Sequence, residues 1–161
     1  ADTAASDEEA VLENKIAEYD AFLTKQDPAF TVEELEEAMQ KVMDQYAGGI
    51  GTHYQFNEKQ LAMAEEKIKK LQILAKGLAA ADMHELMFIY ELKERLTVCL
   101  TVIAHLRARK ETRWHSFAEN LDYPEKSDAW LCYVNSKKNG DQITMIRRDL
   151  VKGGETYEHR D

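Results

Sequence analysis

Four cations fall within seven residues in Arg107-Ala108-Arg109-Lys110-Glu111-Thr112-Arg113, and an aromatic ring and an imidazole follow at once as Trp114-His115. Guanidinium groups interleaved with aromatic rings suit carboxylates, phosphates or an acidic protein surface, through bidentate bonding and stacking. Cations at a helix C-terminus also favour its dipole, which accounts for Arg107, Arg109 and Lys110 without any ligand. It does not account for Arg113-Trp114-His115, nor for the Asp122-Tyr123-Pro124 that follows. The residues alone leave two readings open: an interaction or anion site, and an internal salt-bridge and packing loop.

Other chemistries fail on spacing. A di-iron carboxylate centre needs a Glu-x-x-His pair from each of two helices. Three residues before His53, His84 and His105 stand Ile50, Ala81 and Val102. His84-Glu85 has Phe88 where a zinc protease needs its second histidine. Cys99 sits in an apolar helical run, which raises a thiol's pKa, and Cys132 has no neighbouring base, so both read as packing residues. Gly48-Gly49-Ile50-Gly51 lacks the Lys-Ser/Thr of a phosphate loop and the preceding strand of a dinucleotide fold, and reads as a helix-terminating loop. No catalytic, cofactor-binding or metal-binding residue is assigned on this basis.

The elements that position the basic-aromatic segment follow from periodicity and caps. The chain has 161 residues, one domain's worth, with 7 Gly and 2 Pro, too little punctuation for an all-β fold. Ser6 with Glu9, Thr31 with Glu34, Asn57 with Gln60 and Asp82 with Glu85 mark four helix starts. Pro28, Gly48-Gly49 and Gly77 mark ends, and the fourth helix is expected to run to about residue 110. Apolar residues cover most of its circumference between 96 and 106, as in a helix surrounded by others. Strand-like runs 130–134 and 143–146 flank Asn139-Gly140, a tight-turn pair. The expected fold is mainly α, an antiparallel helical bundle with a C-terminal β-hairpin. Its divisions are an acidic helix over 1–29, a helical bundle and basic loop over 30–128, a hairpin over 129–150 and a flexible tail over 151–161.

The net charge is -9, with 16 acids and 4 bases in residues 1–66 against 14 acids and 17 bases in 67–161. A chain-wide grip on nucleic acid is excluded, and an anionic partner should meet the second half. No apolar run approaches a membrane span and no signal peptide is evident, so a soluble, cytoplasmic protein is expected. The start at Ala1-Asp2 rather than Met points to a processed chain or an excised piece of something longer.

His105-Leu106-Arg107-Ala108-Arg109-Lys110-Glu111-Thr112-Arg113-Trp114, then Asp122-Tyr123-Pro124-Glu125-Lys126-Ser127-Asp128 and Trp130, resemble the C-terminal helical domain of the succinate dehydrogenase/fumarate reductase flavoprotein family. Tyr46-Ala47-Gly48-Gly49, Thr52-His53-Tyr54, Asn57-Glu58-Lys59 and Asp82-Met83-His84-Glu85-Leu86-Met87 look like its adenylylsulfate reductase α-subunit branch. Trp114-His115-Ser116 stands where dehydrogenases typically carry Gly-Ala-His, and Lys126-Ser127-Asp128 where Arg-Asp-Asp is common. The resemblance implies a parent flavoprotein that binds FAD elsewhere, with this domain packed on the FAD-binding domain of the same chain and presented to an iron–sulfur subunit. By the same resemblance Arg107, Arg109, Arg113, Trp114 and His115 form a docking loop, and no catalytic role is carried over. Arg113→Ala and Trp114→Ala are then expected to weaken assembly without changing the chain's own stability. The other reading is a free-standing helical interaction module that uses the 107–115 patch.

Overall fold

The computed structural model describes residues 2–140 and 142–151, residues 2–7 through their backbone alone. Four helices dominate: α1 (Asp2–Leu23), α2 (Val32–Tyr46), α3 (Glu58–Ala75) and α4 (Met83–Ala108). Two-residue strands β1 (Gln55–Phe56) and β2 (Glu119–Asn120) pair in parallel, and β3 (Cys132–Asn139) pairs antiparallel with β4 (Gln142–Asp149). The fold is mainly α with a terminal hairpin, as the periodicity implies.

Three of the four caps form as the sequence dictates. Thr31 Oγ1 accepts from the Glu34 N–H at 3.2 Å while Glu34 reaches back to the Thr31 N–H at 2.9 Å, a reciprocal capping box. Asn57 Oδ1 accepts from Gln60, and Asp82 Oδ1 from both His84 and Glu85. The fourth is corrected: α1 begins at Asp2, so Ser6 lies inside the helix rather than at its start. Helix α1 also stops at Leu23, short of Pro28, with Asp27 in the left-handed region at φ 51°.

The chain divides into two compact units, residues 1–41 with 66–98 and residues 42–65 with 99–161. In the first, Leu35, Met39, Ile68, Leu71, Leu86, Ile89, Leu92 and Leu96 are buried at helical spacing, with Phe22 of α1 among them. The Tyr19 and Tyr90 rings meet edge to face at 5.4 Å. Glu18 beside them accepts a hydrogen bond from Lys15 Nζ at 2.8 Å and another from Lys93, which lower the pKa of its carboxyl to about 2. Toward its start α1 leaves its apolar positions in solvent: Val11, Leu12 and Ile16 are exposed.

In the second unit, Phe56, Leu61, Ala64 and Ile103 are buried. Gly48 turns the chain at φ 76°. A side chain at Gly49 would place its Cβ 2.3 Å from the Asp44 Cα, and the Gly51 N–H donates to Asp44 Oδ1 at 2.9 Å. The glycine-rich loop therefore closes on an internal carboxylate, which repels phosphate. In the hairpin, Asn139 pairs with Gln142 and Gly140 turns at φ 59°. Trp130 lies not in a strand but in a 3₁₀ turn, Asp128–Trp130. Val134, Ile143 and Met145 share one half-buried face of the ribbon, whereas Tyr133 and Ile146 stand exposed on the other.

One expectation about α4 fails. Val98 is 60% and Val102 41% exposed, so the helix is not surrounded over 96–106. Its buried positions are Leu86, Ile89, Leu92, Leu96 and Ile103, a stripe along the helix rather than its whole circumference. No helix among the described residues is long and apolar enough to cross a membrane. The expected tail lies outside the described residues beyond Val151.

Candidate functional site

The last turn of α4 delivers Arg107, which donates Nε–H to Glu58 Oε1 at 2.9 Å and also pairs with Glu65. Helix C-terminal cations were expected here for the dipole; two carboxylates from α3 hold this one as well. Glu58 and Glu65 sit seven residues apart, two turns along one face, so both can reach the same guanidinium. Lys110 lies near the same Glu58 at 3.9 Å and over the Tyr123 ring at 5.2 Å.

Beyond the helix the chain folds around Glu111, whose side chain is fully buried. Four donors converge on its two oxygens. Arg109 Nη1 and Arg113 Nε donate to Oε1 at 2.6 and 2.9 Å, while Arg113 Nη2 and the Ser127 N–H each donate to Oε2 at 2.9 Å. Burial pushes this carboxyl up, but Arg113, the Ser127 amide and Arg109 together pull it below the ordinary carboxylate range, to about 2. Further guanidinium donors meet backbone: Arg109 reaches the Trp130 and Cys132 carbonyls at 2.9 and 3.1 Å, and Arg113 reaches the Ser127 carbonyl at 3.1 Å. Arg147 of β4 lies 4.3 Å from the centre of the Trp130 ring and donates to the Ala129 carbonyl. The clamp thus ties the helix end, the loop and the start of the hairpin together.

Next to the clamp, Thr112 is wholly buried. Its hydroxyl donates to the Tyr123 carbonyl and accepts from the Asn120 N–H, both at 2.9 Å. From this anchored base the loop turns outward. The Phe117 and Ala118 N–H groups both donate to the Trp114 carbonyl at 2.9 Å, which fixes a tight turn carrying Trp114 and Phe117 on its outside. Trp114 is 67% and Phe117 72% exposed. On the far side of the turn, Glu119 accepts from Gln55 Nε2 at 2.9 Å and lies 3.5 Å from His115 Nδ1; Gln55 and then His115 lower its pKa. The β1–β2 pairing brings Tyr54 alongside, with its ring 6.5 Å from that of Phe117.

The structure therefore sorts the five residues named from the sequence. Arg107, Arg109 and Arg113 are engaged by internal carboxylates and carbonyls, whereas Trp114 and His115 face outward. Phe117 and Tyr54 belong to the same exposed cluster and were missed. A short Phe-containing loop has no periodic signal, and Tyr54 is brought there by a parallel pairing of residues 64 positions apart. Glu111, the acid in the middle of the basic run, was also missed, although its place between Arg109 and Arg113 is visible in the sequence. Among the described residues, no group of three or more His, Cys, Asp or Glu can hold a metal ion.

Comparison with known proteins gives a consistent picture. The family model described as the fumarate reductase flavoprotein C-term matches residues 36–155. The adenylylsulfate reductase subunit alpha of Megalodesulfovibrio gigas is 34% identical over 98 residues, which are 60% of this chain and 15% of that protein. The solved adenylylsulfate reductase of the hyperthermophile Archaeoglobus fulgidus superposes with a TM-score of 0.83 at 31% identity, covering 93% of this chain and 26% of that one. A point variant of the E. coli quinol fumarate reductase FrdA shares the fold, with a TM-score of 0.74 at 19% identity over 98% of this chain and 27% of that one. The chain spans well under a third of the length of each.

Proposed function

Because the chain belongs to the fumarate reductase flavoprotein C-terminal family, we propose that it is the docking and assembly domain of a longer FAD-dependent oxidoreductase of adenylylsulfate reductase α-subunit type. In this reading the chain is not active by itself. Its first partner is the FAD-binding domain of the same polypeptide, and the assembled flavoprotein meets an iron–sulfur subunit. An acidic chain with two free thiols suits a reducing compartment, and we place the assembly in the cytoplasm.

The residues present do not fit the flavin itself. A dinucleotide cradle needs a glycine turn between a strand and a helix within a parallel sheet. Among the described residues the only parallel pairing is two residues long, and the one glycine-rich turn is filled by the Asp44 carboxylate.

The observation that carries the docking reading is the contrast within residues 107–117: an ionic clamp closed on the buried Glu111, followed within six residues by two large, exposed aromatic side chains. A loop without a partner gains nothing by holding Trp and Phe in water, whereas a preorganised one loses little entropy on binding. The test is to delete the 161 residues from the natural polypeptide and follow assembly by gel filtration with light scattering, alongside FAD titration of the isolated chain by calorimetry. Loss of assembly with no FAD binding by the isolated chain is expected. Micromolar FAD binding to that chain, or normal assembly without it, would sink the proposal. A natural polypeptide that ends with these residues alone would favour a free-standing interaction module.

A further inference from the structure

Which side chains of the loop make the contact is decided by where their polar groups are already committed. Arg109 and Arg113 direct their guanidinium donors to Glu111 and to three backbone carbonyls, and Arg107 is held by Glu58 and Glu65. Their charge is thus already balanced by internal carboxylates, so a partner carboxylate or phosphate would gain less from each than from a free guanidinium. Trp114, Phe117 and Tyr54, by contrast, stand 67%, 72% and 38% exposed; Trp114 and Phe117 share one tight turn, and Phe117 lies against Tyr54.

We propose that Trp114, Phe117 and Tyr54 form the contact lip of the docking surface, and that it seats in an apolar pocket on the flavin-binding body of the same polypeptide. Arg107, Arg109 and Arg113 are then the frame of the site, and Glu111 and Glu119 are the positioning residues that aim the lip. This inference rests on the docking reading above and refines it.

Three observations support the assignment. First, the lip is pinned on both flanks. Glu111 fixes the entry to the loop through four hydrogen bonds, and Glu119 fixes the exit through Gln55 and His115. A rigid aromatic anchor loses little freedom on burial, and Trp and Tyr dominate interface hot spots for that reason. Second, His53 and Tyr54 occupy the left-handed region in succession, at φ 53° and 63°, a conformation that a bulky side chain adopts only under constraint. The ring that leaves this turn lies 6.5 Å from that of Phe117. Third, the contact atoms the lip offers are mainly ring carbons: Phe117 has no polar group and Trp114 a single N–H, and the nearest carboxylate, Glu119, already accepts from Gln55 and faces His115, which favours an apolar complementary surface. The occupant follows from length: the chain accounts for 26% of the Archaeoglobus fulgidus relative, and the other three quarters of such a polypeptide are at hand without a second molecule.

Hydroxyl-radical footprinting read by mass spectrometry tests this at single residues. Oxidation of Trp114, Phe117 and Tyr54 is compared between the 161-residue chain and the whole natural polypeptide, with light scattering to establish the mass of each species. A hot-spot residue is almost fully desolvated when docked, so oxidation of Trp114 and Phe117 should fall about ten-fold in the longer polypeptide while it is monomeric. Equal oxidation of the lip in both, with protection elsewhere on the chain, overturns the lip and leaves docking standing. No protection anywhere on the chain overturns docking as well. Protection in the 161-residue chain that disappears on dilution assigns the lip to a second copy and overturns the proposed occupant, as does a natural polypeptide with no further body.

Discussion

Replacing Glu111 with Gln removes one charge from the centre of the clamp while keeping its shape. Each carboxylate oxygen accepts two hydrogen bonds, so whichever way the amide turns, its NH₂ faces two donors. Those are either Arg109 Nη1 and Arg113 Nε, or Arg113 Nη2 and the Ser127 N–H. Two of the four bonds are lost, and hydrogen bonds to a charged group contribute about 1.5–3 kcal/mol each. Two effects hold the total near the lower end. The Arg109 and Arg113 side chains are 31% and 20% exposed and can rehydrate, and a neutral amide costs less to bury than a carboxylate. A loss of about 3 kcal/mol lowers the Tm of a domain this size by roughly 6–12 °C.

The pH dependence distinguishes an ionic clamp from simple packing. The Glu111 carboxyl titrates at about 2 when folded and at about 4.3 when unfolded. A folded pKa depressed in this way means that the stabilisation is complete above the unfolded value and is lost as pH falls toward the folded one. Glu18 and the other acids titrate in both proteins and cancel in the difference. Urea denaturation of the two proteins followed by circular dichroism at pH 7, 5 and 3.5 should therefore give a gap that is constant between pH 7 and 5 and narrower at pH 3.5. A gap unchanged at pH 3.5, or a Tm within 2 °C of the parent at pH 7, would refute the clamp.

Contrary to the expectation from sequence, Arg113→Ala should lower the Tm by several degrees, because the buried Glu111 takes two of its four donors from that guanidinium, whereas Trp114→Ala should leave it within about 2 °C as an exposed substitution; thermal melts of the two variants side by side decide this. Leu96→Ala, at a fully buried position, should cost about 2–5 kcal/mol by urea denaturation, against less than about 0.5 for Val98→Ala two residues on. Thr31→Ala should cost about 1 kcal/mol by removing the capping box at the start of α2. Gly49→Ala should reduce soluble yield and Tm sharply, since its Cβ would meet the Asp44 backbone at 2.3 Å, with nothing flexible to give way.

How much of this was legible in the sequence depends on the range of the forces involved. The starts of α2, α3 and α4 were legible because a cap is written within four residues: Thr31 with Glu34, Asn57 with Gln60, Asp82 with Glu85. The same reasoning failed at Ser6. Helix α1 simply continues through it to Asp2, since a cap signal inside a stretch of good helix formers does not oblige the helix to stop. The exposure of Val98 and Val102 was illegible for another reason: periodicity shows which side of a helix can be buried, not how many neighbours are there to bury it.

The candidate site shows the limit most sharply. A run of arginines beside a tryptophan displays its donors in the sequence but not its acceptors, because several of those acceptors are peptide carbonyls. Ser127, Trp130 and Cys132 accept from Arg113 and Arg109 through their backbone oxygens, which every residue type possesses. No side-chain pattern can announce such a partner. Once the chain folds, the guanidinium groups that looked most available are engaged by Glu111 and by backbone carbonyls, and the proposed contact shifts to the side chains with least need of internal partners. Trp114 has a single N–H to satisfy and Phe117 has none, so both can remain at the surface until an apolar pocket covers them. In a basic-aromatic loop that follows a helix end, a buried acid such as Glu111 is therefore the residue to look for first. Its presence between two arginines identifies them as frame, and leaves the neighbouring aromatics as contact.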